Sequence, residues 1–385
     1  MPDQRDRLLI VGVSTRALAA SAARAGYRVT AVDAFGDVDL RAVADVLAPG
    51  TGPDAFSPAG AVETARNVSA SLVAYTSNFE NYPDAVAALA TGRRLLGNPP
   101  AVLQRVRNPI SLMRTLRGRG FAVPETRASH PGAQRLGGRW VMKPRRSGGG
   151  HGTVPWHPGA TVPRRAYLQE RIPGLAGSIV FLADGRRAVP FGLSRQLVGD
   201  PAFGAHGFRY CGSLLATTRR PVFDRQDDLL RAARGLAQAV TEEFGLVGAN
   251  GLDFIARDGT PYPIEVNPRY SASMELVERA TGLSLFELHR AACGGVLPTE
   301  LPPAKAVAGK AVVFAQRDVV VGDGLRRTID GDVADVPHPG ERIIAGHPIC
   351  TIFATGSDAS ICVQRLRAGA DRIYRTIESR ARGAA

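Results

Sequence analysis

The sequence of 385 residues predicts an α/β fold for residues 1–98 and a mixed α+β fold for the rest of the chain. Apolar runs alternate with helical stretches in the first part, as in a parallel sheet covered by helices. Further along, short strand-like runs flank a glycine-rich loop. An Asp-Gly turn then joins two more strand-like runs into a hairpin, which is typical of an antiparallel sheet.

The N-terminal part begins with a buried strand and a helix. Residues 8–13 form a continuous apolar run, which is typical of a parallel strand buried on both faces. Ser14 or Thr15 is expected to cap a helix over residues 16–25, and Gly26 to end it. Further strands are predicted over residues 27–33 and 71–76.

Asp33 ends the second predicted strand, at the place where a dinucleotide-binding fold would hold a ribose. The glycine fingerprint of such a fold is incomplete, because Gly12 is the only glycine between residues 12 and 17. The sequence therefore argues against NAD binding.

The strand over residues 71–76 runs into the polar segment Ser77-Asn78-Phe79-Glu80-Asn81. Open α/β sheets bind ligands at the carboxyl ends of their strands, so Asn78 and Glu80 are candidate substrate contacts. The same residue types are equally typical of a turn. Both interpretations stay open at the level of sequence.

The segment Gly97-Asn98-Pro99-Pro100 interrupts the alternation and predicts a domain junction. A helical stretch is expected over residues 101–119, with an interruption at Pro109 where a helix can restart. Asp224 is expected to cap a long amphipathic helix that ends at Phe244. Further strands are predicted over residues 140–143, 165–169, 178–183 and 188–197.

Composition limits the partners. The formal net charge is +13, but the arginines are spread along the whole chain without a basic block, so no nucleic-acid partner is expected. No apolar run reaches the roughly 18 residues of a membrane span. The four cysteines lack metal or redox spacing, and we expect reduced thiols in a cytoplasmic protein.

Lysine is almost absent from the chain. Of the 48 lysine and arginine residues, only Lys143, Lys305 and Lys310 are lysine. Lys143 ends an apolar strand and precedes a loop that contains Ser147 and four glycines. A compact ammonium fits beside a phosphate where a planar guanidinium may not, and glycines let backbone N–H groups approach the oxygens. The loop glycines are Gly148, Gly149, Gly150 and Gly152.

This pattern predicts a phosphate-binding loop. Glycine-rich loops are also common connectors, and a lone surface lysine beside a hairpin loop is the alternative.

The second chemical signal is the hairpin around Asp258-Gly259. Centring the turn near Gly259 places Asp253 opposite Glu265, because each is six residues from it. Asn267 is two residues beyond Glu265 and faces the same side. Directly opposed carboxylates repel each other, and a divalent cation removes that repulsion.

Two carboxylates and an amide oxygen suit Mg²⁺, which completes its coordination with water and substrate phosphate; Mn²⁺ is an alternative. Arg269 follows Asn267 and could bind the same phosphate. The hairpin therefore predicts a metal site. The alternative is an exposed polar face with a solvated ion pair.

In this order, a lysine with a glycine-rich loop, a hinge and the pattern Asp…Glu-x-Asn-x-Arg resemble the ATP-grasp superfamily. The hinge is the segment Tyr167-Leu168-Gln169-Glu170-Arg171-Ile172-Pro173-Gly174. Residues 305–385, with Pro348-Ile349-Cys350-Thr351-Ile352-Phe353 and a helix from Asp358, resemble the C-terminal part of its biotin-carboxylase-like branch. The run from Glu265 to Arg269, followed by Ala280-Thr281-Gly282, is also similar to the large subunit of carbamoyl phosphate synthetase.

The resemblance implies three parts. Residues 1–98 would form a Rossmann-like domain, residues 99–304 an ATP-grasp domain with a lid over about 122–175, and residues 305–385 a β-rich region with a final helix. It also implies roles for the residues of both signals. Lys143 and Arg269 would act in catalysis, and Asp253, Glu265 and Asn267 would hold the metal. The nucleotide would contact Lys143, Ser147, Gly148, Gly149, Gly150, Gln169, Glu170 and Ile172.

Three departures qualify the resemblance. Arg107 or Asn108-Pro109 stands where the superfamily usually has another lysine. The residues after the hinge, 174–178, offer no acid for a ribose. Tyr270-Ser271-Ala272-Ser273-Met274-Glu275 replaces the Glu-His pair of biotin carboxylases, which weakens bicarbonate chemistry.

The resemblance implies an ATP-dependent carboxylate–amine ligase that forms ADP, in the cytoplasm and with small-molecule substrates. A bicarbonate-using carboxylase and a non-catalytic ATP-binding regulator are the alternatives, and a homodimer is left open. The candidate substrate contacts are Asn78, Glu80, Arg195, His206 and Glu275.

Overall fold

The computed structural model describes residues 7–49, 56–128, 139–217, 219–299, 302, 304, 306–325 and 332–381. None of the helices in these ranges is long and apolar enough to cross a membrane. The helices are α1 (Arg16–Arg24), α2 (Val38–Arg41), α3 (Pro58–Ala65), α4 (Pro83–Ala90), α5 (Pro100–Val106), α6 (Pro109–Gly118), α7 (Gln226–Phe244), α8 (Ala272–Thr281), α9 (Leu285–Cys293) and α10 (Ala359–Ala381).

The strands form two small sheets at the N-terminal end and in the middle of the chain, one large sheet, and one two-stranded pair. They are β1 (Arg7–Val11), β2 (Arg28–Val32), β3 (Asp45–Leu47), β4 (Leu72–Tyr75), β5 (Arg94–Leu96), β6 (Thr126–Ala128), β7 (Trp140–Pro144), β8 (Val154–Trp156), β9 (Ala166–Glu170), β10 (Leu175–Asp184), β11 (Ala188–Val198), β12 (Tyr210–Leu215), β13 (Val247–Arg257), β14 (Thr260–Asn267), β15 (Val307–Phe314), β16 (Val319–Val320), β17 (Val333–Ala334), β18 (Arg342–Ile343) and β19 (Pro348–Gly356).

The first sheet is parallel throughout, with the order β3-β2-β1-β4-β5. This confirms the predicted α/β beginning of the chain. The connections run to opposite sides at β1 and β4, and the carboxyl ends of these two strands lie side by side. A crevice at such a switch point is the usual ligand site of an open parallel sheet.

Two details around β1 differ from the expected ones. Thr15 stands at the N-cap of α1, but it makes no capping hydrogen bond there. Its backbone N–H and its hydroxyl both donate to Asp33, at 2.6 and 2.7 Å. The other oxygen of Asp33 accepts from the backbone N–H groups of Phe35 and Gly36. Asp33 is therefore a buried structural residue that joins the ends of β1 and β2.

The predicted cap of α7 is wrong. Arg225 adopts a left-handed conformation with φ of 50°, and α7 begins after it at Gln226. This turn separates Asp224 from the helix, so Asp224 cannot accept from its first N–H groups. The side chain of Gln226 instead accepts from the backbone N–H of Val222 and holds the preceding segment against the helix.

The second sheet has four antiparallel strands in the order β6-β9-β7-β8. Trp140, Trp156 and Leu168 form its small core. Lys143 lies near the end of β7, and the glycine-rich loop connects β7 to β8. Part of the predicted lid, residues 129–138, lies outside the described residues.

The third sheet has eight strands in the order β14-β13-β10-β11-β12-β15-β19-β17. Helix α7 packs on one face, and α8 and α9 pack on the other. The C-terminal strands β15, β19 and β17 continue this sheet, and α10 packs on β15 and β19. The boundaries at residues 98 and 304 remain predictions.

Candidate functional site

A cleft of ≈ 1080 Å³ lies between the carboxyl edge of the parallel sheet, the four-stranded sheet and one face of the large sheet. The residues predicted from the lysine, the hinge and the hairpin all line it. They are Lys143, Ser147, Gly148, Gly149, Gly150, Gln169, Glu170, Ile172, Asp253, Glu265, Asn267 and Arg269.

Lys143 reaches into the cleft from β7. Its Nζ donates to Oε1 of Gln169 at 3.2 Å and lies 5.8 Å from the centre of the Tyr167 ring. Burial lowers the pKa of Lys143, but Tyr167 and Glu265 raise it, and its pKa lies above the ordinary value. The side chain is therefore a charged ammonium at neutral pH, aimed toward the hairpin carboxylates.

The glycine-rich loop packs against the segment that precedes β12. The carbonyl of Gly149 accepts from the backbone N–H of Tyr210 at 2.9 Å. Gly150 has a φ of +74°, and a Cβ there would collide with the carbonyl of Phe208. Only glycine allows this close approach of two backbones in this conformation.

The hinge after β9 offers free backbone groups beside an apolar surface. The carboxylate of Glu170 accepts from the backbone N–H of Glu125 at 3.0 Å, so it serves the local structure. The backbone of Ile172 makes no hydrogen bond to any described residue. The apolar side chains that line the cleft next to it include Val141, Leu175, Ile255 and Ile264. This part of the cleft can hold a flat aromatic group.

Asp253 and Glu265 are cross-strand partners in the hairpin of β13 and β14, as predicted. The turn arithmetic was incomplete, however. The strands pair Arg257 with Thr260 next to the turn, and that register alone would place Asp253 opposite Ile264. A bulge that leaves Ile264 unpaired shifts the register by one residue and brings Glu265 opposite Asp253.

The same alternation directs both acids into the cleft. Leu252 and Phe254 are fully buried in the core against α7, so Asp253 between them points to the other face. Burial and the neighbouring Glu265 raise the pKa of Asp253 to about 6. Burial would also raise the pKa of Glu265, but Arg107, Lys143 and Arg269 outweigh it and lower that pKa.

Asn267 lies on the same side as Glu265. Its Nδ2 donates to Asp253 at 3.0 Å, and its Oδ1 accepts from Arg269 at 3.2 Å. Among the described residues, no three acid, histidine or cysteine side chains come together as a metal site. The hairpin therefore supplies two carboxylates and one amide, and other ligands of a cation would come from solvent or substrate.

Arg269 is anchored across the domains by Glu80, which follows β4. Its Nη2 is 2.8 Å from Oε1 of Glu80, and the Glu80 side chain is fully buried. The contact is a buried ion pair, and no described residue donates a well-aligned hydrogen bond to either oxygen of Glu80. The Nε of Arg269 is also buried and has no hydrogen-bond partner among the described residues.

Replacing Glu80 by alanine is expected to lower the free energy of unfolding by about 3 kcal/mol, because it leaves Arg269 buried without its counter-ion. Chemical denaturation measures this change. Glu63→Ala is the matched control, since Glu63 pairs with Arg66 on an exposed helix face where such a pair contributes under about 1 kcal/mol. Equal losses in the two variants would show that the Glu80–Arg269 pair has no special role.

Arg107 is the residue of this site that sequence reasoning did not assign. Its guanidinium donates to Oδ1 of Asn81, to the carbonyl of Val266 and to the carbonyl of Ser147 at 2.9 to 3.1 Å. It also lies 3.4 Å from Glu265. Arg107 therefore joins the parallel sheet, the hairpin and the glycine-rich loop. The available signal was its position where the superfamily usually has a lysine.

The five candidate substrate contacts separate into three groups. Asn78 and Arg195 line the cleft. Glu80 and Glu275 are buried in ion pairs behind it, with Arg269 and with Arg16 and Lys310. His206 is exposed and does not line the cleft. The buried ion pairs form across long sequence separations, which a pattern in one sequence does not reveal.

Comparison with known proteins shows what the site is similar to. Residues 106–273 match the model of the ATP-grasp domain. The uncharacterized protein MJ0776 of Methanocaldococcus jannaschii is 29% identical over 122 residues, which are 32% of this chain and 30% of that protein. The carbamoyl phosphate synthase large chain of Myxococcus xanthus is 30% identical over 123 residues, or 29% of this chain and 11% of that one. The chain thus matches only a part of each relative.

Solved structures share the fold over almost the whole chain. The ADP complex of purK, an N5-carboxyaminoimidazole ribonucleotide synthetase, has a TM-score of 0.71 at 17% identity and covers 97% of this chain and 98% of its own. The biotin carboxylase–β,γ-ATP complex from Campylobacter jejuni has a TM-score of 0.72 at 13% identity, and the match covers 94% of this chain and 89% of that one. The L-amino acid ligase of Bacillus licheniformis has a TM-score of 0.69 at 18% identity, and the match covers 96% of this chain and 98% of that one.

At these identities the likeness shows the fold. Residues 106–273, which carry the lysine, the hinge and the hairpin, thus match the ATP-grasp domain model, and the overall fold is similar to those of purK and biotin carboxylase.

Proposed function

We propose that this protein is an Mg-ATP-dependent ligase that activates a substrate carboxylate as an acyl phosphate and joins it to an amine, releasing ADP and phosphate. The observation that carries the proposal is the opposed, half-buried pair Asp253 and Glu265, with the cations Lys143 and Arg269 in the same cleft. The whole set lies at the meeting point of the three sheets. Such an arrangement suits phosphoryl transfer, where positioning and charge neutralisation supply most of the catalysis.

The cleft fits a nucleotide. The free backbone of Ile172 could hydrogen-bond to an adenine edge, and the apolar side chains beside the hinge could cover its faces. Lys143 would neutralise phosphate charge, and the loop from Ser147 to Gly152 would cover the phosphates with its N–H groups and exclude water. The ribose contact stays unassigned, because no acid follows the hinge.

The hairpin fits a magnesium ion. Two ionised carboxylates that face each other in a buried position are stabilised by a cation between them, and the raised pKa of Asp253 reflects the cost of their charges without one. When bound, Mg²⁺ (or Mn²⁺) would neutralise the negative charge of the phosphates. Asp253 and Glu265 would hold it directly. Asn267 would join them if its amide oxygen turned away from Arg269.

Arg269 has the position of a residue that stabilises the transferring phosphoryl group. Its Nε has no protein partner, and Glu80 and Asn267 fix the rest of the guanidinium. Arg107 would keep Glu265 and the loop carbonyl of Ser147 in register. The described part of the site holds no Ser-His-Asp arrangement, and chemistry of this type requires none.

A bicarbonate-using carboxylase is the second candidate, because the fold neighbours include biotin carboxylases. The structural match to the L-amino acid ligase covers more of both chains than the match to biotin carboxylase does. It is consistent with a ligase. We also propose that the chain divides at residues 98 and 304 into an N-terminal domain, the ATP-grasp domain and a C-terminal region, and that its partners are small molecules.

A phosphate-release screen tests the function. Purified protein with Mg-ATP is mixed with amino acids and small carboxylates, each with and without an added amine. Phosphate release that requires both a carboxylate and an amine is the expected result. Release that requires bicarbonate would favour the carboxylase, and tight ATP binding without any release would favour a regulator.

Gly150→Ala is expected to weaken Mg-ATP binding by about tenfold. The added Cβ would collide with the carbonyl of Phe208, and the left-handed backbone conformation costs a non-glycine residue about 1–2 kcal/mol. Titration calorimetry with Mg-ATP measures the change. Gly118→Ala on α6 is the control, since Gly118 does not line the cleft and a Cβ there meets nothing within 4 Å. Unchanged affinity in Gly150→Ala would exclude the loop from nucleotide binding.

A further inference from the structure

The end of the cleft away from the hinge contains a cluster of charged groups that the nucleotide does not require. Arg16, Lys310 and Asp335 line the cleft there, and Glu275 lies directly behind them. Arg16 lies on α1, Glu275 on α8, Lys310 on β15 and Asp335 directly after β17. The N-terminal, middle and C-terminal parts of the chain therefore meet in this cluster. We call these four residues the charge cluster.

The four members hold one another in place. Both oxygens of Asp335 accept from Arg16, through Nε at 2.8 Å and Nη2 at 3.1 Å. Arg16 also binds Glu275 through two N–H groups, and Lys310 donates to the other side of Glu275 at 2.7 Å. Two backbone N–H groups fix Asp39, which lies 3.5 Å from Arg16. The cluster is therefore preorganised rather than free to collapse onto a ligand.

Lys310 carries unused hydrogen-bonding capacity. An ammonium has three donors, and Glu275 is the one hydrogen-bond acceptor that Lys310 has among the described residues. The side chain is only 6% exposed, yet it lines the cleft. Buried donors are almost always satisfied, so the spare N–H groups of Lys310 point to an anionic group that enters the cleft.

The scarcity of lysine strengthens this argument. Lys143 and Lys310 are the two lysines within the described residues, and both face this cleft. Lys305 is the third lysine of the chain, and every other lysine or arginine residue is arginine. A compact ammonium at residue 310 leaves room for a ligand group that a guanidinium would fill.

Charge balance indicates the class of ligand. The cluster contains two cations and two anions, and Arg16 and Lys310 keep the pKa of Glu275 well below its usual range despite burial. A phosphate dianion would need surplus positive charge, which the cluster lacks. A zwitterion needs a cation and an anion side by side. Of the two carboxylates in the cluster, Asp335 is the more accessible, with a side chain that is 24% exposed. It can accept hydrogen bonds from an ammonium group.

We propose that the charge cluster binds one substrate as a free amino acid, with its carboxylate on Lys310 and its ammonium on Asp335. The proposal rests on the ligase function, because the cluster lies at the substrate end of the same cleft. Glu275 is in the first turn of α8, six residues after Arg269. An amino acid held at the cluster therefore lies in the same cleft as Arg269 and the hairpin carboxylates.

The test is a binding experiment. Each of the twenty standard amino acids is titrated into protein saturated with Mg²⁺ and a non-hydrolysable ATP analogue, and every binder is then compared with its amide and its N-acetyl form. We expect at least one free amino acid to bind, and either block to weaken binding by tenfold or more. No binder among the twenty, or blocked forms that bind as well, would overturn the proposal.

Two variants locate the contacts. Lys310→Met should weaken binding of the free amino acid by tenfold or more. The free amino acid and its amide should then bind with the same affinity. Asp335→Asn should make the free amino acid and its N-acetyl form bind with the same affinity. If Lys310→Met does not fold, Asp335→Asn alone tests the proposal. Arg375→Met, an exposed charge on α10, is the control and should change neither. Variants that keep both differences would overturn the assignment.

Failure of this proposal is distinguishable from failure of the ligase function. Absence of Mg-nucleotide binding would refute the function. Normal nucleotide binding, with phosphate release driven by carboxylates that lack an amino group, would leave the function intact and overturn only the amino-acid site. Inorganic phosphate as a competitor adds a further check, since the balanced charge predicts that it does not displace the amino acid.

Discussion

Lys143→Ala is expected to weaken Mg-ATP binding by about 10- to 100-fold and to abolish turnover. The lost ammonium would make charge-assisted hydrogen bonds to phosphate, and such bonds contribute about 1.5–3 kcal/mol each. In the protein, Lys143 donates to Gln169 and lies beside Tyr167, both on the neighbouring strand β9, so the fold should survive the change. Calorimetry with Mg-ATP and a phosphate-release assay measure the two effects.

Lys143→Arg is the informative companion variant. It keeps the charge but replaces the compact ammonium with a planar guanidinium, in a chain that uses arginine almost everywhere else. We expect intermediate affinity and low turnover. Wild-type affinity and activity in a folded Lys143→Ala protein would remove the role assigned to this lysine.

Glu265→Gln is expected to reduce kcat by about a hundredfold or more, with a smaller effect on ATP affinity. Glutamine keeps the shape of the side chain but leaves Asp253 as the only anion beside the cation. Mg²⁺ neutralises charge that develops during phosphoryl transfer, so the loss belongs in kcat rather than in binding. Rates at saturating Mg²⁺ and ATP, together with nucleotide affinity, separate the two.

Asn267→Ala is the matched comparison and should reduce kcat less than Glu265→Gln does. Its amide oxygen already accepts from Arg269, and it contributes no charge to the cation. If Glu265→Gln keeps a near-normal kcat, Glu265 does not bind the metal and the mechanism proposed for this site is wrong.

The hairpin shows how far local sequence rules reach. Asp258-Gly259 predicted the turn, and the opposed pair Asp253 and Glu265 was confirmed. The register that produces the pair depends on a bulge at Ile264, which turn arithmetic does not contain. The bulge is favoured by the environment of the finished sheet, where Ile264 lines the cleft and Glu265 faces Asp253.

The cap of α7 shows the same limit on a smaller scale. Asp224 is a good capping residue by type, but a left-handed Arg225 intervenes and Gln226 ties the start of the helix to Val222. Thr15 likewise occupies the capping position of α1 while its hydroxyl binds Asp33. Tertiary contacts decided both cases against the local preference.

Contacts between residues far apart in the sequence were the hardest to predict. Arg107 meets Glu265, and Glu80 meets Arg269, across more than a hundred positions in each case. A single sequence does not show which of many arginines such a carboxylate will find. Lys310 was also missed, because sequence analysis counted it among the three lysines but gave a role to Lys143 alone, and the structure places both in one cleft.

The most direct test of carboxylate activation follows the carboxylate oxygens. A substrate identified by the phosphate-release screen is prepared with ¹⁸O in its carboxylate, and the phosphate released with Mg-ATP and the amine is analysed by mass spectrometry. Attack of the carboxylate on the γ-phosphate, followed by displacement by the amine, predicts one labelled oxygen in each released phosphate. Unlabelled phosphate would contradict the acyl phosphate and, with it, the proposed ligase mechanism.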